Sequence, residues 1–225
     1  MLALWLGAEQ MTRQSNLNPD KALIFRITHR DNLRWILRNG IACRGGARQD
    51  PRFRRIGNPE LIEARCHRPV PIAPGGTLAD YVPFYFTPFS PMLLNIKTGY
   101  GGIPRVPNDD IVILVSSLRR AEQDGLQFVF TNRHAYLIAA EYFNNLADLD
   151  RVDWDLLQRR DFKRDPEDPD KFERYQAEAL IRDLVPTRSL LGVVCHAEAL
   201  TDRVTADVSA LGLDLKVICR PNWYF

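Results

Sequence analysis

The segment Ile111 to Ser116 (IVILVS), apolar through its first five residues, constrains the fold of this chain more than any other stretch. Its β-branched residues carry no polar break, which reads as a strand buried on both faces and so as the centre of a sheet. The sequence supplies partners for it. Leu23 to Thr28 (LIFRIT) has a period-two trace, and Tyr81 to Phe86 (YVPFYF) is β-prone, with Pro83 placing it at an edge or a bulge. Phe128 to Phe130, Leu190 to His196 and Leu215 to Cys219 read as further strands. Between them, Asp31 or Asn32 can cap a helix over Leu33, Ile36 and Leu37 that Asn39-Gly40 stops, and Ser90-Pro91 opens another through Met92, Leu93 and Ile96. Shorter helices are expected at Pro59 to Arg65, Ser117 to Gln123 and Val152 to Leu157, and longer ones over Tyr136 to Leu149 and Ala197 to Leu211. The fold class is therefore α+β, with strands in mixed or antiparallel order.

The 225 residues suit one domain, expected over residues 23–225 behind a weakly ordered lead, residues 1–22, in which Met11 is a second candidate start. The apolar run Leu2 to Ala8 is far short of the roughly 20 residues a spanning helix needs and has no basic flank, so a cytoplasmic protein without a membrane anchor is expected. Four cysteines (Cys43, Cys66, Cys195, Cys219) form no CxxC pair and read as reduced thiols. Cys66-His67 and Cys195-His196 are adjacent pairs whose side chains diverge, so no metal site is expected. Neither GxGxxG nor GxxxxGK[ST] occurs, which removes the common nucleotide-binding motifs.

The net charge of +2 hides an uneven distribution. Between Arg44 and Arg68 lie seven arginines (Arg44, Arg48, Arg52, Arg54, Arg55, Arg65, Arg68) against three acids, in a Gly- and Pro-rich segment without periodicity. Guanidinium forks match phosphate oxygens, and a long irregular segment inside a compact domain is usually functional, although a solvated loop has the same composition. Downstream, the charged connector Arg159 to Lys171 leads into Arg174 to Arg182, whose alternation favours a strand. Glu178 sits there alone among apolar neighbours, and on local pattern it reads as a surface charge.

Five ordered blocks change that reading: IFRITHRDNLRWILRNG (Ile24 to Gly40), PGGTLADYVPFYFTPFSPML (Pro74 to Leu94), GLQFVFTNRHA (Gly125 to Ala135), YQAEAL (Tyr175 to Leu180) and RPNWYF (Arg220 to Phe225). Together they resemble the DarT family, bacterial toxins that ADP-ribosylate single-stranded DNA with NAD⁺ and are paired with a macrodomain antitoxin. The resemblance implies the ADP-ribosyltransferase (PARP-like) fold, split antiparallel sheets around a cleft that holds NAD⁺. It implies that Glu178 is the catalytic glutamate, at the end of a substrate-contacting loop that begins near Thr131, and that Arg65 is a catalytic arginine. Arg26, Ile27 and Thr28 would lie at the nicotinamide end, supported by His29 and Asn32, with Trp35, Ala42 and Arg65 completing the cofactor pocket. Arg26 departs from the histidine common in the family, and Trp35 and Ala42 are not the usual residues at their positions.

The DNA partner would be held by Arg44, Arg48, Arg54 and Arg55 along an extended backbone, with Arg133 and His134 near phosphate or the target base. Tyr85 and Phe86 are candidates to stack on nicotinamide. Breaking the nicotinamide–ribose bond passes through an oxocarbenium-like state, which a carboxylate at Glu178 would stabilise. A guanidinium is a poor base, so Arg65 is expected to stabilise the base's developing anion and the NAD⁺ phosphates rather than remove a proton. The expected enzyme is a monomer with thymine or guanine as target. Its rivals are an NAD⁺-using enzyme of the same fold acting on RNA and a non-catalytic binding module.

Overall fold

The computed structural model describes residues 16–225. The lead 1–22 therefore lies mostly outside the described residues, as does the choice between Met1 and Met11. Residues 16–22 form turns in which Leu17 is buried, and the Leu17 carbonyl accepts from Gln158 at 2.8 Å.

In chain order the elements are β1 (Leu23–His29), α1 (Leu33–Asn39), β2 (Ile41–Ala42), α2 (Pro59–Arg65), β3 (Tyr81–Tyr85), α3 (Pro91–Thr98), β4 (Ile111–Ser117), α4 (Leu118–Gln123) and β5 (Phe128–Thr131). They continue with β6 (Tyr142–Phe143), α5 (Trp154–Arg159), α6 (Lys171–Arg174), β7 (Glu178–Arg182), β8 (Leu184–Val185), β9 (Gly192–Cys195), α7 (Glu198–Ala210) and β10 (Lys216–Cys219). Eight strands form one sheet in the order β10-β9-β4-β1-β3-β7-β5-β6, and β2 pairs with β8 in a second, small sheet. Only β9 and β10 among these pairs are parallel.

Every residue of β4 is buried, as its apolar run demands, and it pairs with β1 along the full length from Leu23↔Ser117 to His29↔Ile111. The next junction is different. β1 and β3 share only Phe25↔Tyr85, so the sheet is split there into two four-stranded halves. Pro83 explains part of the opening: it has no N–H to continue the ladder toward β1. It lies inside the sheet, paired with Leu180 on the β7 side, rather than at an edge as its type suggested.

Caps set most helix starts. Asn58 accepts from Glu60 and Leu61 N–H before Pro59, and Ser90 accepts from Leu93 N–H before Pro91. At α1 the cap position is Asn32, but its side chain makes no capping bond. Gly40 ends that helix at φ 82°, with Val185 O only 2.5 Å from where a Cβ would stand.

Three expectations fail locally. Tyr136 to Leu149 contains no α-helix, because Asn132 and Glu141 clamp a loop through two hydrogen bonds, Tyr142–Phe143 pair with β5, and residues 146–151 form a 3-10 turn. Tyr175 to Ala177 precede β7 rather than belonging to it. Phe86 is core, packed edge-on against Phe130 and Trp154, and has no open face for nicotinamide. The terminal block is structural: the Tyr224 hydroxyl reaches the carbonyls of Val194 (2.8 Å) and Ile111 (3.2 Å), while Trp223 stands edge-on to Phe25.

Candidate active site

Glu178 opens β7 beside the split, directly across from Tyr85 on β3. Its side chain is 2% exposed and far from alone. Both oxygens accept from Arg65, at 2.8 and 2.7 Å, in a bidentate pair that joins residues 113 positions apart. The Ala135 N–H donates to Oε1 at 3.0 Å, and the Glu178 N–H donates to Thr131 Oγ1 at 3.2 Å. Burial alone pushes the carboxyl pKa up, but the Arg65 charge and the hydrogen bonds outweigh it and hold the group below its ordinary value. Arg65 responds in kind: burial works against its charge, yet Glu178 holds its pKa above the usual value, so it is no proton acceptor.

His134 stands at the same carboxylate, Nδ1 to Oε1 3.7 Å. Nδ1 accepts from the Tyr136 N–H, which leaves the proton of the neutral ring on Nε2. Burial lowers the His134 pKa against the pull of Glu178, so the ring is neutral at pH 7. Burial, and then the Glu178 charge, raises Tyr85 well above an ordinary phenol. The loop that brings Ala135 to the carboxylate is tied down by His134 N–H to Glu173 O (3.1 Å), Arg68 to Leu137 O (3.0 Å) and the Tyr142 hydroxyl to Ala135 O.

Two cavities share the walls Ile27, Ile56 and Ile62. One, about 140 Å³, is lined by Arg26, Arg65, Tyr85, His134 and Glu178. The other, also about 140 Å³, is lined by Thr28, Trp35, Ala42, Arg48, Arg54 and Arg55 among others. Arg44 borders the second cavity, but its guanidinium is engaged with Ile62 O (2.9 Å) and Glu63 (2.6 Å). Of the proposed cofactor residues, Arg26, Ile27, Thr28, Trp35, Ala42 and Arg65 line these two adjoining cavities, together with the loop arginines Arg48, Arg54 and Arg55.

His29 and Asn32 line neither cavity; they are buried supports. His29 Nδ1 accepts from Asp31 N–H at 3.1 Å. Asn32 clamps the arginine segment, donating to Arg54 O (2.8 Å) and accepting from Arg54 N–H (2.7 Å), with its other N–H on Thr28 Oγ1. Arg133 is turned to Asp170 (3.4 Å) and Glu173 (3.8 Å) rather than to open solvent. Sequence reading missed the Ala135 amide, which carries no side-chain signal, and the Thr131 hydroxyl, whose only signal is its place at the end of a strand. The four cysteines are free thiols, and among the described residues no group of three or more His, Cys, Asp or Glu could hold a metal ion. No helix among those residues is long and apolar enough to cross a membrane.

A family model described as ssDNA thymidine ADP-ribosyltransferase, DarT, matches residues 25–225. A DNA ADP-ribosyl transferase of Escherichia coli O127:H6 (strain E2348/69) is 53% identical over 211 residues, 94% of this chain and 97% of that protein. Among solved structures, Thermus sp. 2.9 DarT in complex with ADP-ribosylated ssDNA superposes with a TM-score of 0.85 at 32% identity, covering 95% of this chain and all of that one. The same protein in complex with NAD⁺ gives a TM-score of 0.78 at 33% identity over 92% of this chain and 99% of that one. Fold, site and relatives define the class, an ADP-ribosyltransferase that acts on DNA. Within that class the chain belongs to the DarT family.

Proposed function

We propose that the protein transfers ADP-ribose from NAD⁺ to thymine in single-stranded DNA, releasing nicotinamide. In this reading it is a cytoplasmic, monomeric toxin that blocks replication and is countered by a macrodomain antitoxin. The observation that carries it is the buried, bidentate Arg65–Glu178 pair at one end of a cleft whose other end is lined by arginines. A nicotinamide nucleotide at the carboxylate end leaves its diphosphate to the guanidinium forks. The NAD⁺ complex of the Thermus relative supports the co-substrate, and the family description supports thymidine as target.

The chemistry follows from the carboxylate. The C1′–N bond to nicotinamide breaks and its electron pair leaves with the neutral ring. A ring nitrogen of the base then bonds C1′ and gives up its proton to solvent. Positive charge grows on the ribose only in the transition state, where the pre-ionised Glu178 stabilises it. Arg65 and the Ala135 amide hold that carboxylate in place, so no reorganisation is needed as the charge develops.

The test is incubation with NAD⁺ and a panel of single-stranded oligonucleotides that each present one base type, read by mass spectrometry. Addition of one ADP-ribose to thymine-bearing strands is expected. Addition to guanine would move the target, and nicotinamide release without any labelled DNA would reduce the protein to an NAD⁺ hydrolase.

A further inference from the structure

His134 stands between two groups that compete for its Nδ1. On one side is the Glu178 carboxylate, with Oε1 at 3.7 Å, which would pair with a protonated ring. On the other is the Tyr136 N–H, which donates to Nδ1 at 3.2 Å and so opposes a proton there. That N–H belongs to the Ala135–Tyr136 peptide, and the carbonyl of the same peptide accepts from the Tyr142 hydroxyl. One side chain thus fixes the plane whose N–H decides the state of His134.

Tyr142 is built into this place. It is buried on β6 opposite Thr131 of β5, whose hydroxyl accepts from the Glu178 N–H. Burial, and then the Glu178 charge, raises its pKa against the pull of Arg68, so the phenol keeps its proton and donates. Arg68 holds the same turn two residues further on, at Leu137 O (3.0 Å). A hydroxyl on the carbonyl polarises the peptide and strengthens donation by its N–H. Without the hydroxyl the buried Ala135 carbonyl loses its donor, a cost the peptide relieves by turning.

Glu178 already faces one cation, Arg65. A second on His134 would cancel the charge needed as the ribose becomes positive, and would repel cationic nicotinamide from the cavity that His134 helps to line.

We infer that Tyr142 is a positioning residue of the transfer: through the Ala135–Tyr136 peptide its hydroxyl keeps His134 Nδ1 an acceptor, so that the ring takes up no proton against Glu178. Its effect on rate rests on the reaction proposed above.

The experiment begins with NMR on the whole chain, without NAD⁺ or DNA. The His134 ring is followed in the wild type and in Tyr142→Phe, and His134→Gln identifies its signal among the four histidines. In the wild type the neutral ring should carry its proton on Nε2 and titrate below the ordinary 6.5. In Tyr142→Phe its pKa should rise by about 1, the size of one hydrogen bond. The other groups around the ring are Glu178 on β7, Arg65 on α2 and Glu173 on α6, with Arg26 on β1 and Tyr85 on β3 across the cavity. Between pH 6 and 8 Glu178 and both arginines are charged and Tyr85 is a neutral phenol in either protein. The kcat of ADP-ribose transfer is then measured over the same range. The wild type's advantage over Tyr142→Phe should narrow by up to about tenfold from pH 6 to 8, the most that a pKa change of about 1 allows. An advantage that is the same at every pH would make the hydroxyl a structural tie and overturn the assignment, as would loss of fold in Tyr142→Phe by circular dichroism. So would a wild-type ring protonated on Nδ1, or a His134 titration that Tyr142→Phe does not move. If the wild type labels no base, it is the proposed reaction that fails, and the titration still decides what Tyr142 does to His134.

Discussion

Arg65 and Arg54 come from the same arginine-rich segment and meet opposite fates. Arg65 is 14% exposed and spends both ends of its fork on Glu178, whereas the Arg54 side chain is 58% exposed and reaches Asp31 at 3.3 Å. Burying two charges costs several kcal/mol per ion, and only good geometry with further hydrogen bonds offsets it. Arg65–Glu178 has both, with a bidentate pair and the Ala135 amide. An exposed pair such as Arg54–Asp31 contributes about 0–1 kcal/mol and is easily exchanged. The difference separates two jobs. Charges that must stabilise a transition state are fixed before substrate arrives, while charges that grip a polyanion keep their donors free.

This contrast can be broken at either end. The largest effect is expected at Glu178→Gln, which keeps the shape and removes the charge: transfer should fall by about 10²- to 10³-fold in steady-state kinetics. Arg65→Lys preserves the charge and loses the fork, and a loss of about tenfold in kcat is expected, because one displaced hydrogen bond to the carboxylate is worth about 1.4 kcal/mol. Asn32→Ala leaves the carboxylate alone and releases Arg54. It should lower stability by about 1–3 kcal/mol in urea denaturation. The smallest change should come from Arg48→Gln, which lowers the salt slope of oligonucleotide binding by about 0.7 if that side chain meets one phosphate.

Protonation sharpens the comparison from the other side. The Glu178 pKa is depressed below its ordinary 4.5, so the stability it contributes is present above that value and is lost as pH falls through the lower folded-state value. The stability advantage of the wild type over Glu178→Gln should therefore hold at pH 7 and shrink below about pH 4.5, as measured by denaturation at several pH values. An advantage that already shrinks between pH 7 and 6 would place the carboxyl outside the pair.

Much of the scaffold was legible because single elements announce themselves. Ile111–Ser117 opens with five apolar residues and lies at the interior of the sheet, and Ser90-Pro91 and Asn58-Pro59 start helices where cap and proline agree. Tyr136 to Leu149 misled because its apolar spacing fits a helix, while the Asn132–Glu141 clamp, which local spacing does not register, decides its course. Pro83 misled because the split in the sheet gives a proline a place that an unbroken ladder would not. At the site, Glu178 on its own read as a surface charge, since the partner that buries it lies 113 residues away. Only the family resemblance that the ordered blocks carry gave a role to both, and Arg65 lies in none of those blocks. The Ala135 amide was beyond reach of any reading, because every residue but proline has one.

In the proposed mechanism Arg65 and Glu178 act as one unit at the chemical step. A double-mutant cycle on the rate of ADP-ribose transfer, with Arg65→Lys, Glu178→Gln and the double variant, tests it directly. The double variant is expected to be no slower than Glu178→Gln alone, because without the carboxylate the fork has nothing to orient. Independent losses that multiply in the double variant would contradict it.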